Sequence, residues 1–399
     1  MIRNKFKRCS TLWMLLLGLN CATIVQGKNL VSRNLNFAQK QIGLQIQHMN
    51  GEIKNPCTLT TDGKVKYIAP KDWRSGFFPG TLWYLYELTG DEKWKELAER
   101  HTGAIESIKD YKDSHDVGFM IYCSFGNGYR LTSRPEYKDV IIQTARTLCT
   151  RFRPGAGIIQ SWNVSKSLKA KGWICPVIID NMMNLELLFE ASRLSGDETF
   201  RRVALSHIEN TLKNHFRPDG SCYHVVDYDP ETGQVRHKMT RQGYADESTW
   251  SRGHAWAIYG FTMAYRYTHD RRYLDRAVQT FEYMRHHPNM AKDGIPYWDM
   301  DVPDIGREPR DASSAAIIAS ALYEMADYVL PEQAEDYLKY ARKLLKSLST
   351  SAYRARLGDN GCFLLKHSVS SKPGNSEIDV PLNYADYYFL EALVREKKH

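Results

Sequence analysis

The stretch NMMNLELLFEASRLSGDETFRRVALSHIENTLKNH, residues 181–215, contains the unit from which most of the chain is built. Its first part, residues 181–193, is apolar on nearly every side, which is typical of a buried helix. Residues 195–198 (Ser-Gly-Asp-Glu) have the composition of a turn that ends one helix and caps the next. Residues 200–215 place apolar side chains at helical spacing and leave a polar face. The stretch therefore predicts a hairpin of one buried helix and one helix that faces solvent.

The same pattern recurs along the chain, and short strand-like segments fall only between the hairpins. About six hairpins with buried first helices predict an all-α ring rather than an open solenoid, because the spacing between copies is irregular. The other copies and the two helices that complete the set lie at residues 80–108, 118–150, 254–285, 313–348, 29–49 and 384–395.

The N-terminal segment predicts an export signal. Four basic residues precede the apolar stretch 12–19, which is too short to span a bilayer. We predict a cleaved signal peptide over residues 1–27 and a single helical domain over residues 28–399. Lipid attachment at Cys21 stays open as the alternative, so the expected location is the periplasm, either free or lipid-anchored.

Composition excludes several classes of partner and cofactor. The net charge of +8 falls to +4 without the four basic residues of the signal, which argues against a nucleic-acid surface but permits an anionic substrate in a positive cleft. No apolar run after the signal is long enough for a transmembrane helix. The six remaining cysteines are scattered, with no ligand spacing for a metal, so we expect buried thiols and no metal site. One disulfide bridge stays open as the alternative in an oxidising compartment.

Two aspartates stand at the starts of predicted inner helices. Asp116 follows His115, and Asp180 lies between the apolar run 176–179 and two methionines. Burial in such surroundings would raise the pKa of Asp180 and leave part of it protonated, as a general acid requires. The alternative is that each aspartate merely caps its helix. Because the loops at one end of a helical ring surround a funnel, we expect both side chains to lie there.

The block QGYADESTWSRGHAW, residues 242–256, is dense in side chains that bind sugars and carboxylates. Arg252 offers a planar fork for a carboxylate or sulfate, and Trp256 offers a stacking face at an inner-helix start. Gln242, together with His224 upstream, offers neutral hydrogen-bond donors. A tightly packed loop is the alternative interpretation. We expect two further aromatic side chains from loops to face the same funnel: Trp73 and Trp162.

Long motifs resemble those of the unsaturated glucuronyl hydrolases of glycoside hydrolase family 88, from about residue 29 to the C-terminus. The resemblance implies an (α/α)6 barrel. It also implies substrates that lyases release from chondroitin, hyaluronan or heparin, with a C4=C5 double bond in the non-reducing-end uronate. The motifs are WRSGFFPG (73–80), HDVGFM (115–120), IIDNMMNLELL (178–188), QGYADESTWSRGHAWAIYGF (242–261) and DVPLNYADYYFLEAL (379–393).

The chemistry that this resemblance implies differs from hydrolysis between two flanking carboxylates. An acid protonates C4 of the vinyl ether, water adds at C5, and the hemiketal opens to release a keto acid. By resemblance, Asp180 is the acid and then the base, and Asp116 is the second aspartate, which holds hydroxyls and supports positive charge. No metal or organic cofactor is implied. The residues that resemble substrate contacts are His115, Trp73, Trp162, His224, Gln242, Arg252 and Trp256.

The segment 366–373, before the last helix, resembles the place where some relatives hold a sulfate on the second sugar. Ser368, Ser371 and Lys372 have suitable chemistry, which favours sulfated glycosaminoglycan disaccharides. A solvated polar loop is the alternative. Three other functions stay open: an unsaturated rhamnogalacturonyl hydrolase acting on pectic fragments, a sugar 2-epimerase, and a carbohydrate-binding protein without activity. The extended block 242–256 argues against the first, the lack of a paired His motif against the second, and the presence of both aspartates against the third.

Overall fold

The computed structural model describes Gly27, residues 29–170 and residues 172–399, so the predicted export signal and Cys21 lie outside it. Most of the described chain is helical. In chain order its α-helices are α1 (29–47), α2 (Phe77–Thr89), α3 (Glu92–Gly103), α4 (Val117–Ile121), α5 (Asn127–Thr132), α6 (Pro135–Cys149), α7 (Lys166–Ala170), α8 (Leu185–Ser195), α9 (Glu198–Asn214), α10 (Ser251–Thr268), α11 (Arg271–His286), α12 (Ala312–Ala326), α13 (Pro331–Leu348) and α14 (Asn383–Glu396).

An inner ring is formed by α2, α4–α5, α8, α10, α12 and α14, each in contact with the next, and α14 closes the ring on α2. A π-helical turn, Tyr122–Gly126, joins α4 to α5, and a 3-10 helix, Ile179–Asn184, leads into α8. The inner helices are buried along most of their length, and in α12 every residue is buried. The outer helices α1, α3, α6, α9, α11 and α13 bury one face each. This arrangement confirms the predicted (α/α)6 barrel.

The turns inside the hairpins follow the predicted turn chemistry. Gly90 ends α2 in the left-handed region, with φ 69°, and Asp91 caps α3 by accepting the backbone N–H of Lys93 at 3.1 Å. Gly196 and Asp197 do the same between α8 and α9, where φ of Gly196 is 76°. Glycine adopts this conformation without a steric penalty, and an Asp side chain satisfies an N–H at a helix start.

All strands lie in connections that run from an outer helix to the next inner helix, so they gather at one end of the ring. All of these strands pair antiparallel. Three of the sheets have two strands each, and the fourth has three, with β6 between β5 and β7. The strands are β1 (Pro56–Leu59), β2 (Val65–Tyr67), β3 (Phe152–Arg153), β4 (Ile158–Ile159), β5 (Cys175–Ile178), β6 (Val225–Tyr228), β7 (Val235–Met239), β8 (Ser368–Ser371) and β9 (Ser376–Val380).

The opposite end of the ring holds a buried ionic network around a cavity of about 560 Å³. Arg266 pairs with Glu186 at 3.0 Å and with Glu324 at 2.9 Å, and Arg395 pairs with Glu324 at 2.9 Å. Glu391 accepts hydrogen bonds from tyrosine and serine hydroxyls in the same layer. None of the predicted site residues lines this cavity. The predicted site residues therefore lie away from this ionic network.

In the part of the chain that the structure describes, no helix combines the length and apolarity needed to cross a bilayer. The cysteines of this part carry unpaired thiols, most of them buried, as expected from the sequence: Cys57, Cys123, Cys149, Cys175, Cys222 and Cys362.

Candidate active site

The pairing of β5 with β6 places Asp180 beside His224. In the register of this sheet Ile178 lies opposite Val225, and the next residue, Ile179, donates its N–H to the carbonyl of His224 at 3.0 Å. The chain then turns into the 3-10 helix, which carries Asp180 to the inner end of the loops. As a result, Nε2 of His224 lies 3.9 Å from Oδ1 of Asp180.

Asp180 has the environment of a neutral acid. It is 7% exposed, and its Oδ1 has no hydrogen-bond partner among the described residues. Burial raises the pKa of Asp180 to about 7; the Asp116 carboxylate adds to this rise, and the Arg252 guanidinium opposes it. The helix is capped at Ile178, so the interpretation of Asp180 as an N-cap is wrong. Near neutral pH this carboxyl is therefore partly protonated, as the sequence predicts.

The ring of His224 is held in one tautomer. Its Nδ1 accepts the backbone N–H groups of Arg241 and Gln242, both at 3.2 Å. A nitrogen that accepts cannot also carry the proton, so Nε2 carries it and directs it towards Asp180. Burial holds the pKa of His224 well below its usual value, and the charges of Arg252 and Arg241 act in the same direction. His224 is thus a neutral N–H donor.

Asp116 and His115 form a second polar pair on the neighbouring inner helix. Asp116 occupies the N-cap position of α4 but makes no capping hydrogen bond. Its carboxylate instead accepts the hydroxyl of Ser114 at 3.0 Å and lies 3.2 Å from Nε2 of His115. Burial lowers the pKa of His115, so its ring is neutral. The Asp116 carboxylate therefore makes no capping hydrogen bond to α4. It lies close enough to Asp180 to raise the pKa of that carboxyl.

Arg252 connects the site to β8. Both of its terminal nitrogens donate to backbone carbonyls of that strand, one to Val369 and the other to Ser370 at 2.8 Å, while Nε has no hydrogen-bond partner among the described residues. The Gln242 amide also donates to Ser370 O, at 2.8 Å. Sequence reasoning expects a free guanidinium fork at Arg252. The structure instead places the fork on β8, where it fixes the strand over the site.

The predicted aromatic residues lie around the site, but they present different parts of their rings. Trp256 is fully buried, with ring centroids 5.2 Å from Phe119 and 5.4 Å from Tyr388, so it offers its indole N–H towards Asp180 and no open face. Trp73 is half-buried, 5.6 Å from Phe119. Trp162 is also half-buried, and its ring meets that of His224 edge-on at 6.4 Å.

Comparison with known proteins decides the family. Residues 45–399 match the model of Glycosyl Hydrolase Family 88. The chain belongs to glycosyl hydrolase family 88. An unsaturated glucuronyl hydrolase of Formosa agariphila is 48% identical over 334 residues, covering 84% of this chain and 82% of that protein. An unsaturated chondroitin disaccharide hydrolase of Streptococcus pyogenes serotype M1 is 32% identical over 378 residues, covering 92% and 90%.

The barrel also superposes on a solved member of family 88. The crystal structure of an unsaturated glucuronyl hydrolase specific for heparin matches with a TM-score of 0.88 and 43% identity, covering 93% of this chain and 97% of that one. These matches confirm the predicted family, the (α/α)6 barrel and the enzyme class, a glycosidase of the unsaturated glucuronyl hydrolase type. The roles of individual residues stay predictions.

The hairpin of β8 and β9 carries the residues predicted for sulfate. Ser368 is fully buried and its Oγ has no hydrogen-bond partner among the described residues, whereas Oγ of Ser371 accepts the N–H of Gly374 at 3.2 Å. The ammonium group of Lys372 forms an ion pair with Glu308. A sulfate would therefore have to compete with the Glu308 carboxylate for Lys372.

Two residues of this family 88 site were not predicted. Asp311 caps α12 by accepting the N–H of Ser313 at 3.1 Å, and its other oxygen lies 3.6 Å from Arg252. The rule that singled out Asp116, an aspartate at an inner-helix start, also finds Asp311. Trp250 packs on His224 with ring centroids 4.3 Å apart, and it lies within the quoted block 242–256. Among the described residues no His, Cys, Asp and Glu cluster is arranged to hold a metal ion.

Proposed function

We propose that the protein removes a 4,5-unsaturated uronic acid from the non-reducing end of oligosaccharides that lyases release from glycosaminoglycans. The observation that carries this proposal is the state of Asp180, a buried carboxyl with a pKa raised to about 7 and an unpaired oxygen. A vinyl ether reacts when C4 receives a proton, and a carboxyl that is partly protonated at neutral pH is a suitable donor. The substrate supplies the remaining reactivity.

In the proposed reaction Asp180 transfers its proton to C4, and the C4=C5 electron pair forms the new C–H bond. Positive charge then resides on C5 and the ring oxygen. The Asp180 carboxylate takes a proton from water while the water oxygen bonds to C5, which regenerates the acid. The C5 hemiketal opens to a ketone, and the hemiacetal left at C1 expels the second sugar. One water is consumed, and no redox change occurs.

The neighbours of Asp180 suit both halves of this cycle. Asp116 carries negative charge near the developing cation and accepts substrate hydroxyls. The neutral Nε2–H of His224, which has no partner among the described residues, is available to donate a hydrogen bond to the substrate, and burial lowers the pKa of the ring so that it does not compete as an acid. Arg252 favours the carboxylate form of Asp180, so the proton leaves more readily than burial alone would permit.

The proposed substrate class is supported by the relatives of this chain and by the polar residues of the β8–β9 hairpin. The structural neighbour with 43% identity is specific for heparin, and the Streptococcus pyogenes relative acts on unsaturated chondroitin disaccharides. We propose sulfated glycosaminoglycan disaccharides for this chain, with Ser368, Ser371 and Lys372 near the sulfate. Binding at Lys372 would exchange one anion, the Glu308 carboxylate, for another.

The test follows the ultraviolet absorbance of the conjugated C4=C5 uronate, which is lost on hydration. Lyase-generated chondroitin, hyaluronan, heparin and pectin disaccharides are compared with wild-type enzyme, Asp180→Asn and the exposed outer-helix control Asp139→Asn. We expect loss of absorbance on a glycosaminoglycan product, a decrease of about 100-fold to 10,000-fold in Asp180→Asn, and no change in the control. Constant absorbance across the panel would contradict the proposed reaction, and a preference for the pectin product would contradict the substrate class.

We also propose that the chain is exported to the periplasm, with cleavage after residue 27 or lipid attachment at Cys21. The basic start and the short apolar stretch 12–19 support this proposal. The mass of the mature protein, isolated from cells that express the full chain, distinguishes the two forms, and an intact N-terminus would refute both.

A further inference from the structure

Of four cationic side chains in or near the site, Arg74, Arg252, Lys372 and Arg241, three have anionic or carbonyl partners. Arg74 pairs with Asp72 and Glu377, Arg252 donates to β8, and Lys372 pairs with Glu308. The fourth, Arg241, is exposed, and its guanidinium makes no hydrogen bond or ion pair with any residue that the structure describes.

The position of Arg241 is nevertheless fixed. Its backbone N–H donates to Nδ1 of His224 at 3.2 Å, so the loop cannot move away without releasing the histidine. Its guanidinium lies 5.0 Å from the centre of the Trp162 ring, a cation–π contact. The His224 ring in turn meets Trp162 edge-on, with 6.4 Å between centroids, and its Nε2 lies 3.9 Å from Oδ1 of Asp180. Arg241 is therefore connected to the acid through two rings, Trp162 and His224.

This geometry suits an oxyanion of the substrate. The indole face restrains the guanidinium, while the N–H groups at its edge stay available for two parallel hydrogen bonds. In the proposed reaction C4 of the reacting uronate lies at Asp180, so we infer that the expelled sugar lies on the solvent side of His224, beside Trp162. Lys372 already pairs with Glu308, whereas a sulfate or carboxylate at Arg241 displaces no anionic partner.

We propose that Arg241, held on Trp162, binds an oxyanion on the sugars beyond the reacting uronate and so sets a preference for substrates charged at that position. The proposal deepens the function proposed above and rests on it for the orientation of the substrate. The oxyanion is a sulfate ester when it belongs to the second sugar and a uronate carboxylate when it belongs to the third.

The experiment compares Arg241→Gln and Arg241→Lys with wild type on three substrates: an unsulfated disaccharide, a disaccharide sulfated on the second sugar, and an unsulfated tetrasaccharide. Arg241→Gln should lower kcat/KM for a charged substrate by about 10-fold to 100-fold, mainly through KM, and change the unsulfated disaccharide less than about threefold. Arg241→Lys should be intermediate, because it keeps the charge but loses the fork. Whether the sulfated disaccharide or the tetrasaccharide responds identifies the source of the oxyanion.

The matched control is Arg271→Gln, an exposed arginine paired with Asp275 on the outer helix α11, which should change the turnover of none of the three substrates. A purely structural role of Arg241, through Trp162 and His224, would lower kcat for all three alike and would refute the proposal.

Calorimetric binding of the sulfated disaccharide to Asp180→Asn, with and without Arg241→Gln, gives a readout without turnover. If wild-type enzyme turns over none of the substrates, but Arg241→Gln still weakens binding of the sulfated disaccharide to Asp180→Asn, the proposed reaction is wrong and the proposed oxyanion site is supported. If binding is equal in both variants, the oxyanion site fails whatever the activity.

Discussion

Replacing Asp180 with Asn should stabilise the protein, and by an amount that grows with pH. The fold raises the pKa of this buried carboxyl from its ordinary 3.8 to about 7. Below pH 4 the side chain is protonated in both folded and unfolded chains, so its pKa difference has no effect. As the pH rises through 4 to 7, the unfolded chain ionises while the folded one does not, and the folded state loses about 4 kcal/mol in total.

Most of this loss falls within an accessible pH range. Ionisation of Asp180 in the unfolded chain costs the folded state about 2 kcal/mol at pH 5 and about 4 kcal/mol at pH 8. Asn cannot ionise, so the difference in unfolding free energy between Asp180→Asn and wild type should increase by about 2 kcal/mol from pH 5 to pH 8. The gain would be the stability that the wild-type fold gives up to keep a neutral acid in its site.

Urea denaturation followed by tryptophan fluorescence at the two pH values measures this increase. Met183→Leu is the control, because it changes a buried neighbour of similar volume that does not titrate, and its effect should be the same at both values. An equal effect of Asp180→Asn at pH 5 and pH 8 would mean that Asp180 is ionised in the folded protein. The account of Asp180 as the proton donor would then fail.

Two further outcomes are expected. Because the proton donor must be protonated, kcat/KM should fall about tenfold for each pH unit above about 7, and a profile flat from pH 6 to 9 would exclude Asp180 as the essential acid. At the other end of the ring, Arg395→Met should lower the unfolding free energy by about 3–5 kcal/mol, since it leaves the Glu324 carboxylate with one buried partner fewer; a change below about 1 kcal/mol in urea denaturation would show that the network is solvated.

The fold was predictable because its signals are local. The Gly-Asp turns at Gly90 and Gly196 fix where hairpins bend, and an apolar first helix followed by an amphipathic second one fixes which layer is inside. The burial of Asp180 was predictable for the same reason, since its apolar neighbours 176–179 and 182–183 are adjacent in sequence, and burial is the first cause of its raised pKa.

The partners of the charged groups were not predictable, because they depend on distant segments. Arg252 donates to carbonyls 117 and 118 residues away, and the Glu308–Lys372 pair spans 64 residues. A sequence identifies an arginine as a candidate anion ligand, but only packing decides whether its nitrogens are already occupied. This distinction separates Arg252, whose fork is engaged by the backbone, from Arg241, whose fork is not.

Three aspartates at inner-helix starts illustrate how one position yields different chemistry. Asp311 accepts hydrogen bonds from Ser313 and Ser314 and faces Arg252, so its lone pairs are engaged in holding α12. Asp116 accepts one hydroxyl and lies beside the buried ring of His115, so its oxygens keep lone pairs for further hydrogen bonds. Asp180 alone of the three is not at the N-cap and keeps an unpaired buried oxygen. A helix start normally favours a carboxylate, and burial of Asp180 with one oxygen unpaired reverses that preference at the place where a proton is needed.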